Sequence, residues 1–423
     1  MMISGKDYEE FLGLRPLNVQ IALPGSRCAL VSGRDIAAVA REWGAIVMAA
    51  NIRNPLSALG ILQAARDADS FVMLELAKSE ARYCGVNFAN LPRFAEWFSA
   101  GLCDGVVFAL HMDHYAVKSA ADRDEALSSI PDAIRMGWTS VAIDASHNPD
   151  YRNLMFTRDV ALCIPPFTGL EVEVGEIRGS GVLSTVEEAS YFIGGLNSWG
   201  VFPDFLAISN GSKHGTYDAS AGESEGIDLE RTREIAEAIS PYECVIAQHG
   251  ISGTPLDKVG RFRQYGIHKG NVGTLWQNIV FGLEMDPASG NAAIENGSYV
   301  KRTDRGVPPD LWADMVAYAD SRGWSRSSGD YKNLNLPFHH RIMSLPQSVR
   351  DRIVEDTREW ASRFFDAFNS RGTGTAVIER ILSMGDHNAS PVRRVIADRS
   401  LFGPAEAPDA RGGAGSDGRD YSD

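Results

Sequence analysis

Gly105-Val106-Val107-Phe108-Ala109-Leu110-His111-Met112-Asp113-His114 is an apolar run that ends in three titratable side chains. Nearly continuous apolar residues, without strict alternation, mark a parallel strand covered on both faces. Similar runs recur at residues 44–50, 70–77, 140–145, 170–177, 204–210, 244–249 and 266–272, with the quoted strand at 105–111. Between them lie segments of helical period. Ser184 and Glu187 form a capping box ahead of a stripe of Val186, Ala189, Ile193 and Leu196. Thr254 is placed to cap a helix that begins at Pro255 and carries Leu256, Val259 and Phe262. Leu91, Phe94, Phe98 and Leu102 form another stripe, and Leu229, Ile235 and Ile239 a further one. Eight strands alternating with helices predict a (β/α)8 TIM barrel. A doubly wound open sheet has the same periodicity and stays open as an alternative.

Beyond residue 285 the texture changes to Gly, Asn and Ser, and a long helix is expected around residues 345–370. The expected organisation is a single domain over residues 1–403. Its barrel strands lie within 44–281, and a C-terminal helical extension covers 336–403. The Gly-, Ala-, Asp- and Pro-rich stretch 404–423 reads as a disordered tail. The 423 residues are 44% hydrophobic, ample for one large core, and 23% charged. A net charge of −14 argues against a general nucleic-acid or anionic-membrane binder. Five dispersed cysteines without C-x-x-C spacing fit reduced thiols. With no signal peptide or membrane-length apolar run visible, the expected location is the cytoplasm.

Strand ends converge on one mouth of a barrel, so the residues there carry the function. Strand one ends at Asn51, strand three in His111-Met112-Asp113-His114, and strand four in Asp144-Ala145-Ser146-His147. Strand five carries Glu171, Glu173 and Glu176. Gly211-Ser212-Lys213-His214-Gly215 follows strand six, and strand seven ends in Gln248-His249-Gly250. Five of the nine histidines therefore fall on one side. Imidazoles with carboxylates suit zinc and similar divalent ions, and His114, His214 and His249 are the expected ligands. Glycine loops 249–253 and 270–274 each lead into a helix, after strands seven and eight, where barrels commonly hold phosphate.

These elements together resemble the class II, metal-dependent fructose-bisphosphate aldolase family. The resemblance rests on His111-x-Asp113-His114, Asp144-x-Ser146, Leu170-Glu171-Val172-Glu173-Val174-Gly175, Gly211-x-x-His214-Gly215-x-Tyr217, His249-Gly250-x-Ser252-Gly253 and Asn271-x-x-Thr274, in order across residues 44–281. It implies Zn2+ or another divalent metal held by His114, His214 and His249, with Glu173 as a further or alternative ligand. Asp113 would be the acid–base for the hydroxyl at the cleaved bond. An enediolate left by cleavage would be stabilised by the dication as a Lewis acid. Asn51, Gly215, Gly250, Ser252, Asn271 and Thr274 match positions for the ketose-phosphate end. The small-molecule partner would be a carbonyl or sugar-phosphate substrate, and the assembly a homodimer or higher even oligomer.

The departures from the family are as informative. Gly179-Ser180-Gly181-Val182 lacks the acidic pair expected after strand five, leaving Glu176, or Glu223 or Glu225, as candidate proton shuttle. Asp218 stands where a lysine is expected, Gly273 where an aspartate is, and Ala77, followed by Lys78, where a serine is. Arg341 is the nearest arginine to the far-phosphate position. A substrate other than fructose 1,6-bisphosphate is therefore expected. Two alternatives stay open: a metal-dependent sugar isomerase or epimerase, and a non-catalytic aldolase-like barrel subunit.

Overall fold

The structure, a computed structural model, describes residues 3–175, 183–211, 226–386, 388, 393, 395 and 396. Eight parallel strands follow one another round the barrel: β1 (Val47–Asn51), β2 (Val72–Ala77), β3 (Val107–Ala116), β4 (Ser140–Asp144), β5 (Gly169–Val174), β6 (Phe205–Ile208), β7 (Val245–Gln248) and β8 (Ile267–Val272). Each pairs with the next, and β8 returns to β1 through Val47 opposite Lys269, so the sheet closes. Closure decides against the open doubly wound sheet. Every expected strand is present; β3 runs five residues past its expected end at His111, into Ala116.

The period of two along the strands builds the barrel interior in layers. Val47, Ala49, Met73, Val107, Ala109, Phe205, Ala207, Val245 and Ala247 share one apolar cluster at the base. Above them lie the buried titratable side chains Glu75, His111, Glu171 and Lys269, and above those Asn51, Asp113, Glu173, His249 and Asn271. The floor is stopped by the helix Gly33–Trp43 and by the C-terminal helix Thr373–Met384, whose Val377, Ile378 and Ile381 join the basal cluster. Gly33 is required there: a Cβ at this position would lie 2.3 Å from Ser140 Oγ.

Two helix starts differ from expectation. The capping box uses Thr185 and Glu188, one residue later than Ser184 and Glu187, because the Ser184 hydroxyl is already donating to the Val174 carbonyl. Thr254 caps nothing. The helix is only Leu256–Val259, with Pro255 before it and no side-chain cap. Beyond the barrel, Asn335–Met343 and the long Gln347–Ala367 fall where a helical extension is expected, the latter packing on Pro55–Ala68, while Pro309–Ser321 is a helix within the stretch read as Gly-, Asn- and Ser-rich loop. The stretch 404–423 lies outside the described residues.

Candidate metal centre and active site

Adjacent residues in a regular strand point to opposite faces, so Asp113 and His114 could not both enter the barrel mouth from an unbroken β3. The register against β4 shifts between Met112 and Tyr115, and His114 takes a left-handed φ of 41°. Such a bulge re-aims a side chain at a functional site. A side-chain-bearing residue in this region costs roughly 1–2 kcal/mol, strain that the surrounding barrel sustains.

The re-aimed ring meets its counterpart from the end of β7, with the His114 and His249 ring centroids 4.3 Å apart. His114 Nδ1 lies 3.2 Å from Glu173 Oε2 and 3.6 Å from Asp144 Oδ2. Asp113, His114 and His249 offer ligand atoms within 4.8 Å of one another, and so do His114, Asp144 and Glu173. Two imidazoles and three carboxylates, all but His114 buried, form a donor set suited to a divalent cation, and their excess negative charge is what such an ion neutralises. Burial, with Asp144 beside it, pushes Glu173 up to about 7 despite His114. Burial also opposes ionisation of Asp113, but His114, His249 and Lys269 outweigh it and hold this carboxyl down at about 2. Two amides fix its orientation: Asn51 Nδ2 donates to Oδ2 at 3.0 Å and Asn271 Nδ2 to Oδ1 at 3.3 Å. Asn51 thus belongs to the site; Asn54 is the residue that caps the following helix.

These groups line a cavity of about 430 Å³ that also takes in Gly250, Ser252, Thr274 and His147. The two glycine loops are tied together, since Gly273 N–H donates to Ser252 Oγ at 3.1 Å. Gly250 has a φ of 71°, which favours glycine. A Cβ at Gly273 would sit 3.1 Å from Asn51 Oδ1, so Asn51 crowds the space an aspartate there would need. The opposite wall was not anticipated. Arg53 pairs with Glu80 at 2.8 Å and donates to Gln277, and both Arg53 and Lys332 flank the ring of Tyr83. Glu80 follows β2 by three residues, and that position beyond a strand end is the signal that could have found it.

Other expected residues lie elsewhere. His111 is fully buried beneath the cavity, bonded to Ser140 and facing Glu171. Lys78 turns to Glu125, and Arg341 pairs with Asp314 on the surface. Glu176, His214 and Gly215 lie outside the described residues, as do Lys213, Asp218, Glu223, Glu225 and the stretch 179–182.

A closed parallel barrel with histidines and carboxylates at its strand ends defines a class of barrel enzymes that work with a divalent metal. Within that class the family is set by sequence. A family profile described as "Fructose-bisphosphate aldolase class-II" matches residues 31–301, and the chain belongs to that family. It is therefore a class II aldolase-like lyase. A fructose-bisphosphate aldolase of Streptococcus pneumoniae serotype 4 is 29% identical over 260 residues, 58% of this chain and 79% of the relative. One from Thermus caldophilus is 30% identical over 248 residues, 56% and 73% of the two chains. The fold is shared with the crystal structure of a putative fructose-1,6-biphosphate aldolase from Coccidioides immitis (TM-score 0.54, 20% identity, 81% of this chain and 98% of that one).

Proposed function

We propose that this aldolase cleaves or forms a carbon–carbon bond in a sugar or sugar-phosphate other than fructose 1,6-bisphosphate. The observation that carries the reading is Asp113, an ionised carboxylate held by two amides beside His114 and His249 in the cavity. Asp113 takes the proton from the hydroxyl at the bond to be cleaved and returns it in the condensation direction. This role favours bond cleavage over isomerisation or epimerisation, which needs no proton transfer at that hydroxyl. His114, His249, Glu173 and, from outside the described residues, His214 would hold Zn2+ or another divalent ion. When bound, the ion supplies Lewis-acid stabilisation to the charge that cleavage leaves on substrate oxygens. Asn51, Gly215, Gly250, Ser252, Asn271 and Thr274 bind the ketose end, with backbone N–H groups of the glycine loops available to a phosphate. Glu176 is the candidate for moving the proton on the donor carbon.

The changed substrate rests on departures from the family's pattern. Gly273 and Ala77 lack the expected side chains, Arg341 faces away into an ion pair with Asp314, and an Arg53–Glu80–Tyr83 wall faces the metal side of the cavity. A homodimer or higher even oligomer in the cytoplasm completes the proposal, with sedimentation as the check on assembly.

The test is a panel of aldehydes with dihydroxyacetone phosphate and its non-phosphorylated analogues, metal present. A new carbon–carbon bond with one pair, and turnover below 1% of that in Asp113→Asn with metal still bound, is expected on the scale of a lost acid–base group, about 10²–10⁴-fold. No product with any pair would overturn the reading. Fructose 1,6-bisphosphate as the best substrate would overturn the changed specificity alone.

A further inference from the structure

Lys269 is the largest charged side chain in the barrel and has no exposed surface. It stands on β8 one layer below the cavity and is absent from the cavity lining, so its amine has no route to a carbonyl substrate. Its ammonium donates to Asn271 Oδ1 at 2.8 Å and forms ion pairs with Glu171 Oε2 at 2.9 Å and Glu75 Oε2 at 3.2 Å. Each of two of these partners reaches on into the site. The other oxygen of Glu171 lies 2.9 Å from His249 Nε2. A carboxylate only accepts, so it fixes the proton on Nε2 and leaves the lone pair on Nδ1. With its oxygen held by Lys269, the Asn271 amide must direct its N–H groups upwards, where they meet Asp113 Oδ1 and His249 Nδ1, each at 3.3 Å. One ammonium therefore orients two groups that meet at His249, from below and from the side.

We propose that Lys269 is a positioning residue of the metal centre, fixing through Glu171 and Asn271 the tautomer and direction of His249 and the seat of Asp113. Removal of the ammonium releases the Glu171 carboxylate and the Asn271 amide, the two groups that order His249.

The inference rests on the metal-dependent reading of the site, and its test separates the two. Co2+ and Zn2+ affinity of the full chain is measured by chelator competition, without substrate, for wild type, Lys269→Met, Glu171→Gln and the double variant. The Co2+ absorption spectrum reports ligand geometry, and thermal unfolding reports the fold. Each single variant is expected to bind about 10–100-fold more weakly, the scale for loss of a partner behind a metal-binding histidine. The double variant should bind no more weakly than the worse single one, because both act through one chain of contacts. Should Lys269→Met not fold, Glu171→Gln and Lys269→Arg carry the test. The former must lose affinity with its melting temperature retained, and the latter must keep the fold while its Co2+ spectrum shifts. Unchanged affinity and spectrum in folded variants, or additive losses, would overturn the positioning role while leaving the aldolase reading standing. A wild-type protein that binds neither ion would overturn the metal-dependent reading itself.

Discussion

His114 shows how one residue's backbone decides whether the site exists. Its left-handed conformation lets two consecutive side chains of β3 face the same mouth. The strain belongs to the backbone and the ligand to the side chain, so substitutions separate them. His114→Gly is expected to be more stable than His114→Ala by about 1 kcal/mol, since glycine takes this φ without penalty. Both variants should lose metal affinity, and denaturant titration with metal competition checks both statements. The sequence made the Asp113-His114 pair legible as chemistry, because titratable residues at the end of an apolar run have few other reasons to be there. It did not make the bulge legible: nothing in His111-Met112-Asp113-His114 announces a register shift, which depends on how β4 pairs with it. Lys269 and Glu75 were missed for a related reason. A lone charge inside a run such as Ile267–Val272 reads as an interruption until closure brings opposite walls together.

At the scale of elements, the helix Gly33–Trp43 meets the start of β4 at Gly33. Ser140 Oγ, which an added Cβ at Gly33 would strike, also holds His111 Nδ1 at 2.8 Å. Gly33→Ala is therefore expected to destabilise the protein by about 1–3 kcal/mol, the range for overpacking a tight core. Gly13 supplies the contrast. It lies in the helix Gly5–Leu14 with nothing within 4 Å of a Cβ, so Gly13→Ala should stabilise by about 0.4–1 kcal/mol. Chemical denaturation of both variants decides. Strand positions were readable because parallel strands buried on both faces leave unbroken apolar runs. Helix starts were less so: Ser184 looked like a cap, but its hydroxyl is engaged by β5 and Thr185 takes the role.

For the whole molecule, a ligand that binds only the folded barrel must stabilise it. The candidate ligands come from at least three strands far apart in sequence, so the unfolded chain offers no comparable site. Zn2+ at a hundred times its dissociation constant is expected to add about 2.7 kcal/mol to unfolding stability, and a strong chelator should remove that increment. Calorimetry with and without chelator checks it, and an identical melting temperature in both would argue against a metal site in the fold. Closure of the barrel was not legible, since eight strand–helix repeats fit an open sheet as well; nor was the wall of Arg53, Glu80, Tyr83 and Lys332, because it joins three residues from the first third of the chain to one from the last.

Among the described residues, the first and the last helix both pack on the underside of the barrel. Phe11, from the first helix, and Ile381, from the last, share the basal apolar cluster. During synthesis the eighth strand leaves the ribosome about a hundred residues before the helix Thr373–Met384 does. Throughout that interval water has access to the part of the apolar base that this helix covers, and a ring of strands completed early would have only the helix Gly33–Trp43 to stop it. A nonsense mutation between residues 333 and 372 should therefore produce inclusion bodies rather than a weaker enzyme, even though every residue of the cavity would have been translated.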